Sequence, residues 1–356
     1  MLTKSLNATI HELLLKKFGI TDSELEVVST PGSSQSRVYI FRNSNNLVAV
    51  KVSRNDINRR VTLEDEVKNR KAILDFLPHH TAKVYWLGKY DKHDILIYEC
   101  IGEATLHSEY MQRNIAANEL RKIWFDVVEK VTDMWASSMV PATAQTKFAR
   151  NYEERLFRIS EGLKSLPVGD NDATLFDYYY LPVTVNGEKT ISVAEMLDRF
   201  RAYIKPEFTV TCHGDPQPSN VIINPQNLEW NLIDWEWSGT GHDWRMMAAH
   251  LYGWWKTRTV SFADTPSLRV SDSGIAINYD LDSSGFCEEM DIVVKRLNDQ
   301  FGLKKNVNDR EAFELFIALL LIGEIRFTHI WRRENHTPYL LGEALRVLKG
   351  GAINYG

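Results

Sequence analysis

The sequence predicts an α+β fold with two lobes, a small lobe built on an antiparallel sheet and a larger, mainly helical lobe. Short apolar segments separated by turn residues dominate residues 25–99, which is typical of strands. Apolar residues recur at helical spacing through most of residues 103–356. A chain of 356 residues is long enough for two separate hydrophobic cores. We therefore predict lobes at 1–102 and 103–356, with the cleft between them as the expected site.

The small lobe is predicted to contain two helices and five strands. Residues 9–18 have apolar residues at helical spacing and are followed by Gly19, the residue type that commonly follows a helix C-terminus. Residues 62–77 show the same spacing and predict the second helix. The strands are expected at 25–29, 38–41, 47–52, 84–90 and 94–99, and they would form one five-stranded sheet.

The larger lobe is predicted to be helical with one β interruption. Its helices are expected at 117–137, 193–203, 244–256, 288–301, 310–331 and 339–348. Asn186-Gly187 stands between alternating residues, which is the strongest short signal for a hairpin. Residues 262–284 are rich in Ser, Asp and Gly, and we predict that they are weakly structured.

Composition and charge narrow the class of partner. The formal net charge is −5 and no dense run of Lys or Arg occurs, so the broad positive surface of a nucleic-acid binder is not expected. Three widely separated cysteines (Cys100, Cys212 and Cys287) predict reduced thiols. The longest apolar run, 316–323, is too short to span a bilayer, and no basic segment followed by an apolar core starts the chain. We expect a cytoplasmic protein that acts on a small molecule without a nucleic-acid or membrane partner; the sequence leaves the oligomeric state open.

The most informative motif occupies residues 213–236. His213-Gly-Asp215 is followed five residues later by Asn220, and Asp234 comes after two short apolar strands. If those strands pair antiparallel, Asn220 and Asp234 lie side by side. Phosphoryl transfer needs one carboxylate on an attacking hydroxyl, and an amide plus a second carboxylate to hold metal between phosphates. Two ordinary surface turns are the alternative, but three polar residues at these offsets favour the functional interpretation.

These motifs resemble those of the aminoglycoside phosphotransferase and choline kinase family, which has a protein-kinase-like fold. The segment from His213 to Asn220 is similar to its His-Gly-Asp-x-x-x-x-Asn element, and the segment ending at Asp234-Trp-Glu is similar to its Ile-Asp-Trp-Glu element. The resemblance implies ATP and Mg²⁺ as cofactors, Asp215 as catalytic base, Asn220 and Asp234 as metal ligands, and His213 as a residue that braces the loop. It also implies that Asp243 supports this loop.

The resemblance places the nucleotide site in the small lobe. Residues 31–36 are similar to the family's Gly-x-Ser-Asn turn, although Ser36 stands where the family usually has Asn. Main-chain N–H groups near Ser33 and Ser34 would contact phosphate, with a plain β-turn as the alternative. Main-chain groups from Glu99 to Ile101, in the linker between the lobes, would hold the adenine ring.

Lys51 is the one charge in an apolar strand, where a cation must reach solvent or find an anion. In the kinase signature such a Lys contacts phosphate oxygens and a Glu of a nearby helix. Glu64 and Glu66 are both candidates for that partner. We prefer Glu66, because it lies on one helical stripe with Leu63 and Ile73, whereas Glu64 points to another side of the helix.

The acceptor is predicted less sharply. Five Trp residues within 235–255 could surround a quaternary ammonium through cation–π attraction, although aromatic residues at helical spacing are more often part of a core. Carboxylates within 280–291 could instead bind a polycationic aminosugar, with a solvated loop as the alternative. The candidate acceptors are therefore a hydroxyl of an aminoglycoside, of choline or ethanolamine, or of a sugar-like molecule.

Two other functions are compatible with the same fold. A protein kinase would share the core, but this chain has Asp234-Trp-Glu236 in place of Asp-Phe-Gly, and no Ala-Pro-Glu follows it. A catalytically idle nucleotide-binding module is the second alternative, because a fold does not determine an activity. The presence of every expected polar residue favours an active small-molecule kinase.

Overall fold

The computed structural model describes residues 4–19, 26–30, 36–43, 46–54, 61–143, 159–164, 173–202, 205–282, 286–325, 327–328, 334–350 and 352–355. The chain divides into two compact units. The first comprises Met1–Ile123 and His213–Gly239, and the second comprises Trp124–Cys212 and Thr240–Gly356. The predicted lobe boundary near residue 102 stays a prediction.

The first unit contains the predicted five-stranded antiparallel sheet. Its strands are β1 Glu26–Thr30, β2 Ser36–Asn43, β3 Asn46–Arg54, β4 Val84–Tyr90 and β5 His93–Cys100. Their order in the sheet is β1-β2-β3-β5-β4, and every neighbouring pair is antiparallel. The sheet prediction is therefore confirmed, with ends that differ by one or two residues at most strands.

Two helices accompany this sheet. Helix α1 (Lys4–Phe18) buries Ile10 and Leu14 in a core with Phe41, Val50 and Ile97 of the strands. Helix α2 (Leu63–Leu74) begins at a reciprocal cap, in which Thr62 Oγ1 accepts from the Asp65 N–H and the Asp65 carboxylate accepts from the Thr62 N–H. The cap satisfies two N–H groups that otherwise lack partners at a helix start, and so defines where α2 begins.

A second, smaller sheet completes the first unit. Strands β6 Ala104–Thr105, β11 Val221–Ile223 and β12 Trp230–Leu232 form an antiparallel sheet in the order β12-β11-β6. The short helix α3 (Leu106–Gln112) follows β6 directly. One-turn 3₁₀ helices stand just before β11, at Pro218–Asn220, and after β12, at Trp235–Trp237. The first of these turns contains Asn220, and the second begins directly after Asp234.

The second unit is mainly helical, as predicted. Helix α4 (Ala117–Ser137) leads into it, residues 159–164 are also helical, and further helices are α5 Val193–Arg201, α6 Trp244–Arg258, α7 Cys287–Phe301, α8 Val307–Ile325 and α9 Thr337–Lys349. All six predicted helices are present. Helix α8 ends at Ile325 and residues 327–328 form a turn, while the predicted end at residue 331 lies outside the described residues. Across the described residues, no helix combines the length and the apolar character that a bilayer crossing requires.

Two small sheets accompany these helices. One has the order β13-β10-β7, formed by Gly239–His242, Phe208–Cys212 and Val140–Pro141. The other has the order β14-β15-β8-β9, formed by Phe262–Ser271, Gly274–Leu281, Val183–Val185 and Glu188–Lys189. The turn between β8 and β9 has positive φ at both Asn186 (52°) and Gly187 (80°), so the predicted hairpin is confirmed.

The prediction that residues 262–284 are weakly structured is wrong. Strands β14 and β15 pair as an antiparallel hairpin over most of this segment, and β15 also pairs with β8 in parallel. Ile275, Ile277 and Tyr279 alternate along β15 and are buried. Gly342 of α9 lies so close to Ile277 and Tyr279 that a Cβ there would be about 3 Å from both side chains. The Ser, Asp and Gly residues elsewhere in 262–284 gave the segment the composition of a loop and concealed this alternation.

Candidate active site

The hairpin of β11 and β12 brings Asn220 and Asp234 together. Val221 pairs with Leu232 in the antiparallel ladder, and the Ile233 N–H donates to the Asn220 carbonyl oxygen at 3.0 Å. The two polar residues therefore leave the ladder from neighbouring strands at the same end. This arrangement is the one that the spacing predicted.

His213 connects the start of the motif to its far end. The side chain is fully buried, and Nε2 lies 2.9 Å from the Ile233 carbonyl oxygen. Because a carbonyl oxygen only accepts, Nε2 carries the hydrogen. Burial lowers the pKa of His213, which favours the neutral ring. Ser238 Oγ donates to the His213 carbonyl oxygen at 3.0 Å, so the loop is tied to the 233–238 segment from both sides. These bonds fit the predicted bracing role, which stays a prediction.

Gly214 allows the loop to pass close to this segment. Its φ is 82°, and a Cβ at this position would lie 2.1 Å from the Trp237 carbonyl oxygen. Any side chain there would collide with main chain, and the positive φ would be unfavourable as well. Glycine in His-Gly-Asp thus has a steric cause that the motif alone does not reveal.

Asp215 and Asn220 are held against each other. Asn220 Nδ2 donates to the Asp215 carbonyl oxygen at 2.9 Å and to Asp215 Oδ2 at 3.3 Å. The main chain of the loop closes the same turn through a bond from the Gln217 N–H to the Asp215 carbonyl oxygen at 2.9 Å. Because Asn220 Nδ2 donates in both of its bonds to Asp215, the orientation of the Asn220 amide is set. The Asp215 side chain remains partly exposed at the loop.

Lys51 joins the sheet to both the helix and the motif. Its Nζ donates to Glu66 Oε2 at 2.8 Å and to Asp234 Oδ1 at 2.6 Å. Lys51 is 6 % exposed and Glu66 is 3 % exposed, whereas Glu64 faces solvent. The residue that pairs with Lys51 is therefore Glu66, the one preferred from the sequence. The contact with Asp234 joins residues that are 183 positions apart, and the sequence did not predict it.

The electrostatics follow from one cation among several carboxylates. Burial by itself lowers the pKa of Lys51, but Asp234 and Glu66 outweigh it and the pKa is raised. Burial raises the pKa of Glu66 to about 7, with Lys51 opposing the shift and Asp234 adding to it. Burial and the charge of Asp234 also raise the pKa of Glu236. The site thus holds more carboxylates than cations and would gain from a bound cation.

The donor atoms suit Mg²⁺. The Asp234 carboxylate and the Asn220 amide provide oxygen ligands, and Mg²⁺ commonly takes only one or two protein groups while phosphates and water complete its shell. No group of three or more His, Cys, Asp or Glu side chains that could hold a metal occurs in the described part of the chain. A transition-metal site of that type is therefore not found there, and the two-oxygen set fits a metal shared with a nucleotide.

Comparisons with known proteins give the fold. No protein-family model and no curated protein matches the chain. Three solved structures are similar over nearly the whole length. A protein assigned as a fructosamine-3-kinase from Haemophilus somnus has 12% identity, 94% of this chain and 96% of that chain covered, and a TM-score of 0.52. A spectinomycin phosphotransferase in complex with ADP and spectinomycin has 12% identity, coverages of 96% and 93%, and a TM-score of 0.50.

The third structure is a microcompartment-associated aminopropanol kinase, with 11% identity, coverages of 97% and 95%, and a TM-score of 0.50. The chain has a protein-kinase-like fold. Sequence identities of 11–12% show a shared fold and carry no conclusion about function. The kinase-like fold predicted from the motifs is thereby confirmed.

Only some of the predicted nucleotide contacts fall on described residues. Ser33 and Ser34 lie outside the described residues, so their phosphate contact stays a prediction. Glu99 and Ile101 stand at the end of β5 and just after it, and their place in a linker between two lobes stays a prediction. The Glu99 N–H donates to the Lys83 carbonyl oxygen at 2.8 Å, so Glu99 would offer adenine its carbonyl oxygen. Gly102 follows, where a Cβ would lie 1.8 Å from the Ile223 carbonyl oxygen.

Most residues of the two segments considered as acceptor sites belong to the buried core or to regular strands and helices. Trp235, Trp244, Trp254 and Trp255 are at most 8 % exposed, so the core alternative holds for these four, while Trp237 is half-buried. Trp244, for example, stacks on Phe301 with ring centroids 4.5 Å apart. In the acidic segment, most of the described residues belong to β15 and α7 instead of a solvated loop, and Glu289 is buried.

Residues that sequence reasoning missed lie on α2. Asn69 and Arg70 follow Glu66 by three and four positions, and both contact the segment that begins at Asp234. Their helical spacing from Glu66 was visible in the sequence. The contacted partners were not visible, because they lie about 165 residues further along the chain.

Proposed function

We propose that this protein is an ATP- and Mg²⁺-dependent phosphotransferase that moves the γ-phosphoryl group to a hydroxyl of a small molecule. The observation that carries the proposal is the Lys51–Glu66–Asp234 contact set, with distances of 2.8 and 2.6 Å, in the same unit as Asp215 and Asn220. A buried lysine with two carboxylates, next to an Asp and Asn pair, has the parts that kinase-type phosphoryl transfer uses.

Asp215 is proposed as the catalytic base. Its carboxylate lies on a loop whose shape is held by Gly214, by His213 and by the bonds from Asn220. A partly exposed carboxylate at a fixed position can orient an acceptor hydroxyl and accept its proton as the bond to phosphorus forms. His213 does not suit this role, because its ring is fully buried and its Nε2 donates to the Ile233 carbonyl oxygen.

Asn220 and Asp234 are proposed to hold Mg²⁺, and Lys51 is proposed to hold phosphate. When bound, the metal neutralises charge on the phosphates and favours departure of ADP. The chain's own contribution is placement: the hairpin aligns the two ligands, Glu66 holds Lys51, and Lys51 keeps its positive charge because its pKa is raised. Main-chain groups of Glu99 and Ile101 would contact adenine, and those of Ser33 and Ser34 would contact phosphate.

The class of acceptor follows from the same proposal. The structurally similar proteins are described as kinases or phosphotransferases of fructosamine, spectinomycin and aminopropanol, and these acceptors are small hydroxyl compounds. An aminoglycoside, choline or ethanolamine, or a sugar-like molecule is accordingly proposed as acceptor here. The cytoplasmic location predicted from the sequence belongs to the proposal as well.

The test is a screen for ATP consumption and for phosphorylated product, with aminoglycosides, amino alcohols, choline and small sugars as acceptors and a generic protein as a separate arm. We expect turnover with a small molecule and none with the protein. Asp215→Asn should abolish that turnover while leaving ATP binding largely intact. Asp272→Asn, in the exposed turn between β14 and β15, is the matched control and should behave as wild type.

Three outcomes would contradict the proposal. Phosphate transfer only to protein would point to a protein kinase. Nucleotide binding without any transfer would point to an idle module. Near-normal turnover by purified Asp215→Asn would remove the assigned base.

A further inference from the structure

We propose that Asn69 and Arg70 are positioning residues that hold the Asp234 turn in its metal-binding conformation and couple it to the Lys51–Glu66 pair. This inference rests on the proposed function. Glu66, Asn69 and Arg70 are spaced by three and four residues on α2, so they share one face of the helix. Asn69 and Arg70 contact residues of the 234–237 turn directly. Glu66 contacts Lys51, which in turn binds Asp234.

The backbone conformation at Asp234 is unfavourable, so the turn needs contacts that hold it in place. Asp234 has φ 65° and ψ 62°, in the left-handed region that a residue with a side chain rarely occupies. Such a conformation persists when the surroundings impose it. Asp tolerates it better than most residue types, because its short polar side chain can bond locally. The direction of the Asp234 carboxylate therefore depends on what holds residues 233–238.

One side of the turn is held by the catalytic loop. His213 Nε2 donates to the Ile233 carbonyl oxygen at 2.9 Å, and Ser238 Oγ donates to the His213 carbonyl oxygen at 3.0 Å. These bonds fix the residues before and after the turn. They do not reach Trp235 or Glu236, which lie within it.

The other side is held by Asn69. Its Nδ2 donates to the Glu236 main-chain carbonyl oxygen at 2.9 Å, in a partly buried setting. A carbonyl oxygen in a tight turn needs a donor, and here the donor comes from a residue one helical turn beyond Glu66. Movement of α2 would therefore pull on Lys51 through Glu66 and on the turn through Asn69 together.

Arg70 secures the same turn through an aromatic ring. Its guanidinium carbon lies 5.5 Å from the centroid of Trp235, which is fully buried and makes an edge contact with Tyr98 at 5.7 Å. The guanidinium is itself fixed, since Nε donates to the Ala82 carbonyl oxygen at 2.7 Å and Nη2 donates to the Thr81 carbonyl oxygen at 3.3 Å. The cation is thus held in place over the ring that follows the metal ligand.

The consequence is a specific effect on metal-dependent binding. If the turn loosens, Asp234 loses its preset direction, while the linker that would contact adenine is untouched. The loss should therefore appear in the affinity for Mg·ATP and not in the affinity for ATP without metal. A residue that only stabilised the fold would change both affinities together or neither.

The experiment compares Asn69→Leu with Lys71→Leu. Leu has nearly the size of Asn but no donor, and Lys71 is an exposed residue of the same helix that receives the same new side chain. Calorimetry with a non-hydrolysable ATP analogue, in Mg²⁺ and in EDTA, gives the ratio of the two affinities for each protein. We expect the ratio to fall about fivefold to tenfold in Asn69→Leu, as for loss of one hydrogen bond, and to stay unchanged in Lys71→Leu.

Three further variants keep the test decisive. Asn69→Ala also removes the donor, adds no charge near the carboxylates and serves if the Leu variant does not fold; the same drop in ratio is expected. Arg70→Met should lower the ratio, and Arg70→Lys, which keeps the cation over Trp235, should restore part of it. An unchanged ratio in the folded variants, or an equal loss with and without metal, would overturn the positioning role. Absence of Mg²⁺-dependent binding in the wild type would instead refute the proposed function itself.

Discussion

Lys51 illustrates how a single buried charge is tolerated. It lies in β3 among apolar residues, where an unpaired ammonium group would cost several kcal/mol. Two carboxylates within 2.8 Å compensate that cost, and one of them belongs to a residue with a proposed metal-binding role. The two carboxylates therefore keep the lysine charged for a phosphate.

The first prediction concerns the helix partner of Lys51. Glu66→Gln keeps the size of the side chain but removes the charge that holds Nζ, so kcat/KM for ATP should fall about 10-fold to 100-fold, or about 1.4–2.8 kcal/mol. Steady-state kinetics with varied ATP measures the change. Glu64→Gln, two residues away and exposed, is the matched control and should be indistinguishable from wild type. Equal effects of the two substitutions would contradict the assigned pairing.

The second prediction concerns the metal ligand. Asp234→Asn should weaken Mg·ATP binding strongly while ATP binding in EDTA changes little, because Asn tolerates the left-handed backbone but lacks the charge. Calorimetry in the presence and absence of Mg²⁺ checks it. Unchanged Mg·ATP affinity would exclude Asp234 as a ligand.

Single elements show where local sequence is sufficient. The hairpin of β8 and β9 forms at Asn186-Gly187 because both positions need positive φ, which these two residue types adopt at low cost. The prediction for 262–284 failed for the opposite reason. Its polar composition resembles a loop, while the burial of Ile275, Ile277 and Tyr279 depends on β8 and α9, which are distant in sequence.

The third prediction separates backbone conformation from packing. A methyl group added at Gly187 or at Gly323 would meet no other atom within 4 Å, but Gly187 has φ 80° whereas Gly323 lies inside α8. Gly187→Ala should destabilise the protein by about 1–2 kcal/mol, and Gly323→Ala should stabilise it by about 0.5–1 kcal/mol. Urea unfolding of the two variants measures both. The same sign for both substitutions would contradict the role assigned to the φ angle.

In the second unit, stability depends on a buried ionic cluster that joins three elements. Glu343 of α9 is 3 % exposed and accepts from Lys256 Nζ of α6 at 3.2 Å, from the Tyr279 hydroxyl of β15 at 2.9 Å, and from Arg346 Nη1 at 3.4 Å. Burial by itself raises the pKa of Glu343, but the two cations and the tyrosine outweigh it, so the pKa lies below its ordinary value. The ionised form is therefore the one that the fold favours.

The fourth prediction gives the pH dependence of this cluster. A carboxylate with a lowered folded-state pKa stabilises the protein above its unfolded pKa, and the contribution is lost as the pH falls through the folded value. Glu343→Gln should therefore destabilise the protein by about 2–4 kcal/mol at neutral pH, and the difference from wild type should begin to shrink only below about pH 4.5, as the pH falls toward and through the lower folded value. Urea unfolding across this range measures it.

The control for this prediction is Glu188→Gln. Glu188 is an exposed residue that pairs with Lys349 at 3.5 Å, and its loss should cost at most about 1 kcal/mol. A difference between Glu343→Gln and wild type that stayed constant with pH would show that the ionisation of Glu343 does not matter.

The sequence was enough for features that depend on spacing along the chain. The five strands of the first sheet and the six predicted helices of the second unit follow from apolar periodicity, and Asn220 and Asp234 meet because a hairpin joins them. Glu66 was preferred over Glu64 because a helix has a period near 3.6 residues.

Only the tertiary structure decided the contacts that complete the site. Lys51 meets Asp234 across 183 positions, and Asn69 meets the Glu236 carbonyl oxygen across 167. Gly214 is required by the closeness of Trp237. The physical reason is that local geometry sets which face a side chain occupies, whereas the group it meets is set by how separate elements pack in three dimensions.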